Sequence, residues 1–163
     1  MKRIILIRHG KSAWNNPNLS DHQRPLAERG LRDVPVMARR LQADNRLPEL
    51  ILSSSAVRAM QTTELLMHTL GYDSEKLIIY PSLYHASARQ MLTVIKEQDD
   101  SFSTIALVGH NPGMNELIEE INPSFENLPT SGLYGIELSI RSWKETSFEL
   151  MKTWFFDYPK KLR

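Results

Sequence analysis

The chain has 163 residues, 41% of them hydrophobic and 24% charged, a balance typical of a globular protein of about one domain. The formal net charge is only +1, so the sequence lacks the basic excess that a general nucleic-acid-binding protein usually carries. It contains no cysteine, which excludes disulfides, thiolate metal sites and all chemistry that uses a cysteine nucleophile.

The hydropathy pattern gives no indication of a membrane or secretory segment. No stretch approaches the roughly 20 apolar residues that a membrane-spanning helix needs. The apolar run at residues 4–7 is interrupted by Arg8 and His9, too early for the core of a signal peptide. The sequence therefore predicts a cytoplasmic protein with neither a membrane nor a nucleic acid as partner.

Short apolar runs that end abruptly predict the strands of a sheet. The first is β-branched and unbroken, a pattern typical of a strand buried on both faces. Two final strands are predicted as antiparallel neighbours near the end of the chain. The six predicted strands cover residues 4–7, 50–52, 76–80, 105–108, 133–140 and 148–156.

Four segments between the strands have the apolar periodicity of helices. We expect Pro35 in the first turn of the first helix, where its missing N–H costs nothing. Ser55 and Ser87 are the predicted N-caps of the second and third helices, because a serine hydroxyl accepts from a free backbone N–H. The predicted helices cover residues 36–41, 56–70, 88–98 and 113–121.

Strands that alternate with helices predict an α/β fold, a three-layer sandwich with a mostly parallel central sheet and helices on both faces. In such sheets, ligands bind beyond the carboxyl ends of the strands. Polar side chains that follow three of the predicted strands suit that position: Arg8 and His9, Arg58, and His110. Their common placement is the first functional indication, and it rests on position alone.

These side chains together have the chemistry of an anion site. Two guanidiniums offer planar, permanently charged forks for phosphate or carboxylate oxygens. Helix N-termini near Ala56 and Gly113 add backbone N–H groups. An imidazole can act as a nucleophile, a proton carrier or a donor. The set fits a phosphoryl group, because phosphoryl transfer needs mainly positioning and charge neutralisation.

Three motifs, in order along the chain, resemble those of the histidine phosphatase superfamily, which has the phosphoglycerate-mutase-like fold. They are Arg8-His9-Gly10, the segment 53–62 around Arg58, and the segment 108–113 around His110. The likeness runs from residue 3 to about residue 138. Four shorter segments are similar to the short SixA-type phosphohistidine phosphatases: Arg24-Pro25-Leu26, Arg29-Gly30, Tyr84-His85-Ala86 and Pro129-Thr130-Ser131-Gly132.

The resemblance implies a covalent mechanism in which His9 attacks phosphorus and carries the phosphoryl group. Nearby arginine charges would keep His9 neutral, and an acceptor such as a backbone carbonyl would fix its tautomer. Arg8, Arg58 and His110 are expected to bind the phosphoryl oxygens. The resemblance also implies one histidine phosphatase domain over residues 1–163 without a large cap, since only residues 71–75 separate the second helix from the next strand.

Four further residues are predicted to serve the site. Asn15, Arg24 and Thr130 are expected to contact phosphate or substrate, although Arg24 could equally cap the helix that follows. Residues 81–86 contain no Glu or Asp where many relatives carry a proton-donating carboxylate, and His85 is the predicted proton donor in that place. The imidazole released from a phosphoramidate such as phosphohistidine needs less help from an acid than the alkoxide released from a phosphate ester.

The missing carboxylate therefore favours a phosphohistidine substrate on a protein, with a histidine-phosphotransfer domain as one expected partner. Two other functions stay open: a phosphomonoesterase or mutase that acts on a small metabolite, and a non-catalytic phosphoprotein-binding module. No zinc, calcium or Walker motif occurs in the sequence. We therefore expect a metal-independent enzyme without a cofactor.

Overall fold

A mixed sheet of six strands lies between two pairs of helices in the computed structural model, which describes residues 1–163. The strands are β1 (Lys2–Arg8), β2 (Leu50–Ser53), β3 (Leu77–Ile79), β4 (Thr104–Gly109), β5 (Leu133–Leu138) and β6 (Met151–Asp157). The helices are α1 (Glu28–Ala43), α2 (Val57–Leu70), α3 (Ala88–Lys96) and α4 (Gly113–Ile121). None of the helices is long and apolar enough to cross a membrane.

The strand order, β3-β2-β4-β1-β5-β6, confirms the predicted α/β architecture. The first four strands in this order run parallel, and β5 and β6 are antiparallel, so the final pair is also as predicted. Because β1, β2 and β4 are parallel, their carboxyl ends lie at the same edge of the sheet. That edge is where the predicted active-site residues come together.

Burial on both faces of the sheet explains why β1 could be recognised in the sequence. Ile4 and Leu6 of β1 pack on the face covered by α3 and α4, and Ile5 and Ile7 pack on the face covered by α1 and α2. All four side chains are at most 2% exposed. A strand with helices on both sides must be apolar at every position, which is why β1 reads as an unbroken run.

Helix α1 corrects the sequence prediction, because it begins at Glu28 and Pro35 lies in its interior. An interior proline costs a helix about 3 kcal/mol, so local preference alone argued for a later start. The packing of α1 against the rest of the protein outweighs this local cost of Pro35. A Cβ built on Gly30 would lie 2.5 Å from the Lys11 carbonyl oxygen, so the first turn of α1 packs closely against the chain that follows β1.

The predicted N-caps had opposite outcomes. Ser87 caps α3 through a reciprocal pair of hydrogen bonds with Gln90, as the sequence indicates. Ser55 does not cap α2, because Ala56 occupies the N-cap position and its N–H donates to the Ser54 hydroxyl instead.

Two connections between elements bear on the predicted boundaries: the one before β6 and the one between α2 and β3. The expected last strand begins three residues late, since residues 148–150 form a 3₁₀ turn before β6. Only residues 71–76 connect α2 to β3, and half of them form another 3₁₀ turn. The connection therefore contributes no element that covers the sheet edge.

Candidate active site

The carboxyl ends of β1 and β4 bring the two predicted active-site histidines side by side. Arg8 pairs with Gly109 across these strands, so His9 and His110 occupy equivalent next positions. Their ring centroids are 5.2 Å apart. An open cleft of about 300 Å³ lies at this edge, lined by Arg8, His9, Lys11, Ser12, Trp14, Asp21, Arg24, Arg58, His85, Asn111 and Thr130. His110 is not among the lining residues, but its ring packs against those of His9 and His85, with a centroid distance of 5.6 Å to His85.

The imidazole of His9 has one ring nitrogen committed and one free for chemistry. Nδ1 lies 2.7 Å from the Gly10 carbonyl oxygen, which can only accept, so Nδ1 carries the proton. Nε2 therefore carries no proton, and it accepts a long hydrogen bond from Arg58 Nε at 3.4 Å. The carbonyl that the sequence could not identify is that of the next residue in the chain. His9 consequently presents a lone pair beside a guanidinium.

The surroundings of His9 keep its ring neutral. Burial, opposed by the hydrogen bond to Gly10 and reinforced by the charges of Arg58 and Arg8, lowers the pKa of His9 from 6.5 to about 4. The unfolded chain binds more protons than the folded one between these values, so stability falls as the pH drops through that window. At neutral pH, the Nε2 lone pair is available in nearly every folded molecule.

The cleft includes residues that the sequence did not predict there, among them Lys11, Asn111 and Asp21. Of these, Asp21 has the most contacts with the predicted residues. Its Oδ2 lies 3.0 Å from Arg58 Nη2, and its Oδ1 lies 2.9 Å from Arg24 Nη1. The Tyr84 hydroxyl donates to Oδ2 at 2.6 Å, and His85 Nε2 lies 3.2 Å from the same oxygen. One carboxylate from a 3₁₀ turn between β1 and α1 thus joins Arg24 at the end of its own turn, Arg58 of α2, and Tyr84 and His85 after β3.

The partners of Asp21 keep it ionised. The hydrogen bond from Tyr84, together with those from Arg58 and Arg24, holds the pKa of Asp21 far below the ordinary value for an aspartate. A carboxyl group this acidic carries no proton to donate at neutral pH. Asp21 therefore orients the guanidiniums and His85, and it does not replace the proton-donating carboxylate that residues 81–86 lack.

Arg8 and His110 each carry a buried polar atom that the protein leaves unpaired. Arg8 donates from Nη1 to the Leu128 carbonyl at 2.9 Å, but its Nε has no hydrogen-bond partner. Nδ1 of His110 is likewise without a partner. Burial and the neighbouring Arg58 charge lower the pKa of Arg8, and burial lowers the pKa of His110 to about 3. Buried polar atoms without a protein partner, close to several guanidiniums, are suited to binding an anion.

Helix α2 carries side chains that tie the site together, which explains the second sequence motif in physical terms. Arg58 is 4% exposed and also donates from Nη1 to the Asp21 carbonyl at 2.7 Å. One turn later, Thr62 accepts from the Gly10 N–H at 3.0 Å, and Gln61 accepts from the Leu26 N–H at 2.8 Å. The helix therefore holds the loop after β1 in place while it delivers Arg58.

Of the three further residues predicted to contact phosphate or substrate, two line the cleft and one does not. Arg24 lines the cleft, is 7% exposed, donates to Ser12 and stacks on Trp14, with its guanidinium carbon 3.1 Å from the ring centroid. Thr130 lines the rim. Asn15 is exposed and lies outside the residues that line the cleft, so the structure does not bring it to the site.

His85 stands at the mouth of the cleft, where its side chain is 57% exposed. Its backbone has a φ of 52°, a left-handed conformation that residues with a Cβ seldom adopt. The ring lies against Tyr84, with centroids 4.1 Å apart, and meets Asp21 through Nε2. No group of three or more His, Asp or Glu side chains is placed to hold a metal ion.

Comparisons with known proteins agree with this geometry. The sequence pattern of the histidine phosphatase superfamily (branch 1) matches residues 4–88. An uncharacterized chloroplastic protein of Arabidopsis thaliana is 31% identical over an alignment of 152 positions, which covers 88% of this chain and 70% of the relative. The chain therefore belongs to the histidine phosphatase superfamily, as the three motifs indicate.

Two solved structures share the fold over almost their whole length. SixA of Agrobacterium tumefaciens, a candidate phosphohistidine phosphatase, is 29% identical, with a TM-score of 0.80 over 97% of this chain and 98% of that one. A protein histidine phosphatase SixA complexed with tungstate also has a TM-score of 0.80, over 96% of this chain and 97% of that one. At 21% identity, this second likeness shows the fold alone.

Proposed function

We propose that this chain is a phosphohistidine phosphatase that hydrolyses a phosphoryl group on a protein through a covalent phosphohistidine at His9. The observation that carries the proposal is the bare Nε2 of a neutral, buried His9 in a cleft where Arg8, Arg24 and Arg58 converge. The likeness to SixA of Agrobacterium tumefaciens supports the same assignment. Residues 1–163 would then form one histidine phosphatase domain without a large cap.

The first chemical step follows from the orientation of His9. Its Nε2 lone pair attacks phosphorus as the bond from phosphorus to the substrate nitrogen breaks, and that nitrogen leaves with the bonding electrons. Three arginines and Lys11, against the single carboxylate of Asp21, give the cleft a positive excess that would balance the charge of the phosphoryl dianion and of the transition state. Arg8 Nε has no partner in the protein and is free to donate to the phosphoryl oxygens, and Nδ1 of His110 is likewise unpaired.

The second step returns the enzyme to its starting state. A water molecule attacks phosphorus, the bond from phosphorus to Nε2 breaks, and the electron pair returns to His9. Inorganic phosphate leaves the cleft, and the proton of the water passes to solvent or to the phosphate. Direct attack by an imidazole needs no metal-bound hydroxide, so the charge that a metal could supply comes from guanidiniums.

The state of Asp21 supports a P–N substrate. With Asp21 ionised, His85 is the group at the mouth of the cleft that can carry a proton to the leaving group. Its exposed ring suits a phosphohistidine substrate, because the ring nitrogen bonded to phosphorus accepts a proton more readily than an ester oxygen does, so imidazole leaves with less acid help than an alkoxide. The open cleft and the short connection between α2 and β3 support a phosphoryl group displayed on a protein surface rather than an enclosed metabolite.

A comparison of substrates tests the proposal. We expect kcat/KM for a phosphohistidine-carrying phosphotransfer domain to exceed that for an alkyl phosphate ester by at least about 10²-fold, the usual scale of general acid help. Turnover of both substrates is followed by release of inorganic phosphate. Equal or faster hydrolysis of the alkyl ester would favour a metabolite phosphomonoesterase, and tight binding without turnover would favour a binding module.

The same assay defines the role of His85. If His85 donates the proton, His85→Ala should slow an alkyl ester most, the phosphohistidine protein less and a nitrophenyl ester least, in order of leaving-group basicity. A uniform loss over all three substrates would contradict proton donation and indicate a structural role.

Metal removal gives an independent test of the mechanism. We expect full activity after dialysis against excess EDTA, because the arginines supply the positive charge and His9 attacks phosphorus directly. Residual metal is measured by elemental analysis before the assay. Activity that disappears on chelation and returns with a divalent cation would reject the metal-independent mechanism.

A further inference from the structure

The hydrogen bonds of Ser54, at the end of β2, determine where its hydroxyl proton goes. Ser54 is completely buried. Its Oγ lies 3.2 Å from the Ala56 backbone nitrogen and 2.7 Å from His110 Nε2. A backbone N–H can only donate, so Oγ accepts from Ala56. The one proton of the hydroxyl then has a single acceptor within reach, His110 Nε2.

The opposite arrangement leaves a buried donor unpaired. If Nε2 of His110 carried the proton and donated to Ser54, the hydroxyl proton of Ser54 would point at no acceptor. An unsatisfied polar group inside the protein is unfavourable, because it has lost its hydrogen bonds to water. Nε2 of His110 is therefore the acceptor, and the neutral ring carries its proton on Nδ1.

This tautomer gives the unpaired nitrogen of His110 a defined chemistry. Nδ1 is the atom that has no partner in the protein, and as Nδ1–H it is a donor that lacks an acceptor. Because burial lowers the pKa of His110 to about 3, the ring is neutral at pH 7 and carries a single proton, on either Nδ1 or Nε2. His9 has the same Nδ1–H tautomer but turns its bare Nε2 to Arg58.

We propose that Ser54 is a positioning residue that holds His110 as a neutral Nδ1–H donor for a phosphoryl oxygen, so that His9 alone offers a lone pair. The two neighbouring imidazoles thereby have different roles because their partners differ. The Gly10 carbonyl accepts from Nδ1 of His9 and leaves Nε2 as the nucleophile, whereas the Ser54 hydroxyl donates to Nε2 of His110 and leaves Nδ1–H as the donor. The catalytic consequence rests on the proposed function. The tautomer does not, since it is a property of the free protein.

Nitrogen NMR of histidine-labelled wild-type protein at neutral pH tests the tautomer directly. Long-range proton–nitrogen correlations distinguish a protonated ring nitrogen from a bare one. We expect the proton of His110 on Nδ1 in the wild type and in Ser54→Thr, which keeps a hydroxyl, and a shift toward Nε2–H in Ser54→Ala. Ser53→Ala is the matched control, because Ser53 is equally buried and bonds to Thr63 and to the Ser54 carbonyl rather than to His110.

Kinetics of the same variants test the positioning role. We expect Ser54→Ala to lower kcat about 10-fold to 10²-fold, with Ser54→Thr recovering most of it and KM changing less. A wild-type His110 protonated on Nε2, or a Ser54→Ala protein with unchanged tautomer or unchanged kcat, would overturn the proposal. If the wild type turns over no substrate, the proposed function fails, but its spectra still decide the tautomer of His110. The same spectra decide it even if a Ser54 variant does not fold.

Discussion

His9→Ala is expected to reduce turnover by about 10⁴-fold to 10⁶-fold, the scale seen when a covalent catalyst loses its nucleophile. The reason is geometric, because Nε2 of His9 is the bare nitrogen that Arg58 faces and the variant removes it. The fold should persist, since His9 lines the cleft and is not part of either apolar cluster. Turnover is measured with the phosphohistidine protein and folding by circular dichroism.

Trapping of the covalent intermediate completes this test. Rapid quenching of the wild type with labelled substrate should leave phosphate on the protein, at His9 by peptide mapping, and His9→Ala should retain none. His68→Ala is the matched control, because His68 is an exposed histidine on α2 away from the cleft. A folded His9→Ala protein that keeps wild-type turnover would rule out His9 as the nucleophile.

Arg58→Ala is expected to lower kcat/KM by about 10²-fold to 10³-fold, the usual cost of removing one preorganised donor from a transition state. The loss has two sources. The guanidinium no longer neutralises the phosphoryl group, and Asp21 is left as a less compensated negative charge in the cleft. Inhibition by inorganic phosphate and vanadate should weaken in parallel, and competition assays with both anions measure it.

Arg58→Lys should rescue little of this loss. Arg58 contacts the Asp21 carbonyl, the Asp21 carboxylate and His9 from three different nitrogens, and one ammonium cannot reproduce that geometry. Arg39→Ala serves as the control, since Arg39 is an exposed arginine of α1. Unchanged phosphate inhibition in Arg58→Ala would show that the anion binds elsewhere.

Some of the site was predictable because strand ends are marked in the sequence. A doubly buried strand must be apolar, so the change to Arg8 and His9 after β1 and to His110 after β4 is visible without a structure. Parallel strands carry their carboxyl ends to one edge, and this rule alone placed the two histidines together. The 5.2 Å between their rings agrees with that expectation.

Asp21 escaped prediction because nothing local distinguishes it. It lies in an irregular segment, and its partners Arg58 and Tyr84 are 37 and 63 residues away in sequence. Aspartate is common in turns for reasons unrelated to function. Only the packing of that turn against α2 makes the carboxylate a partner of the guanidiniums and lowers its pKa.

The amino-acid sequence by itself determined the α/β class, the superfamily, the placement of Arg8, His9 and His110 at strand ends and that of Arg58 after β2, because periodicity and short motifs are local. The tertiary structure decided the start of α1, the position of Asn15 outside the cleft and the part played by Asp21. It also decided which nitrogen of each histidine is free. Those outcomes depend on contacts between residues far apart in the chain, and no local pattern encodes such contacts.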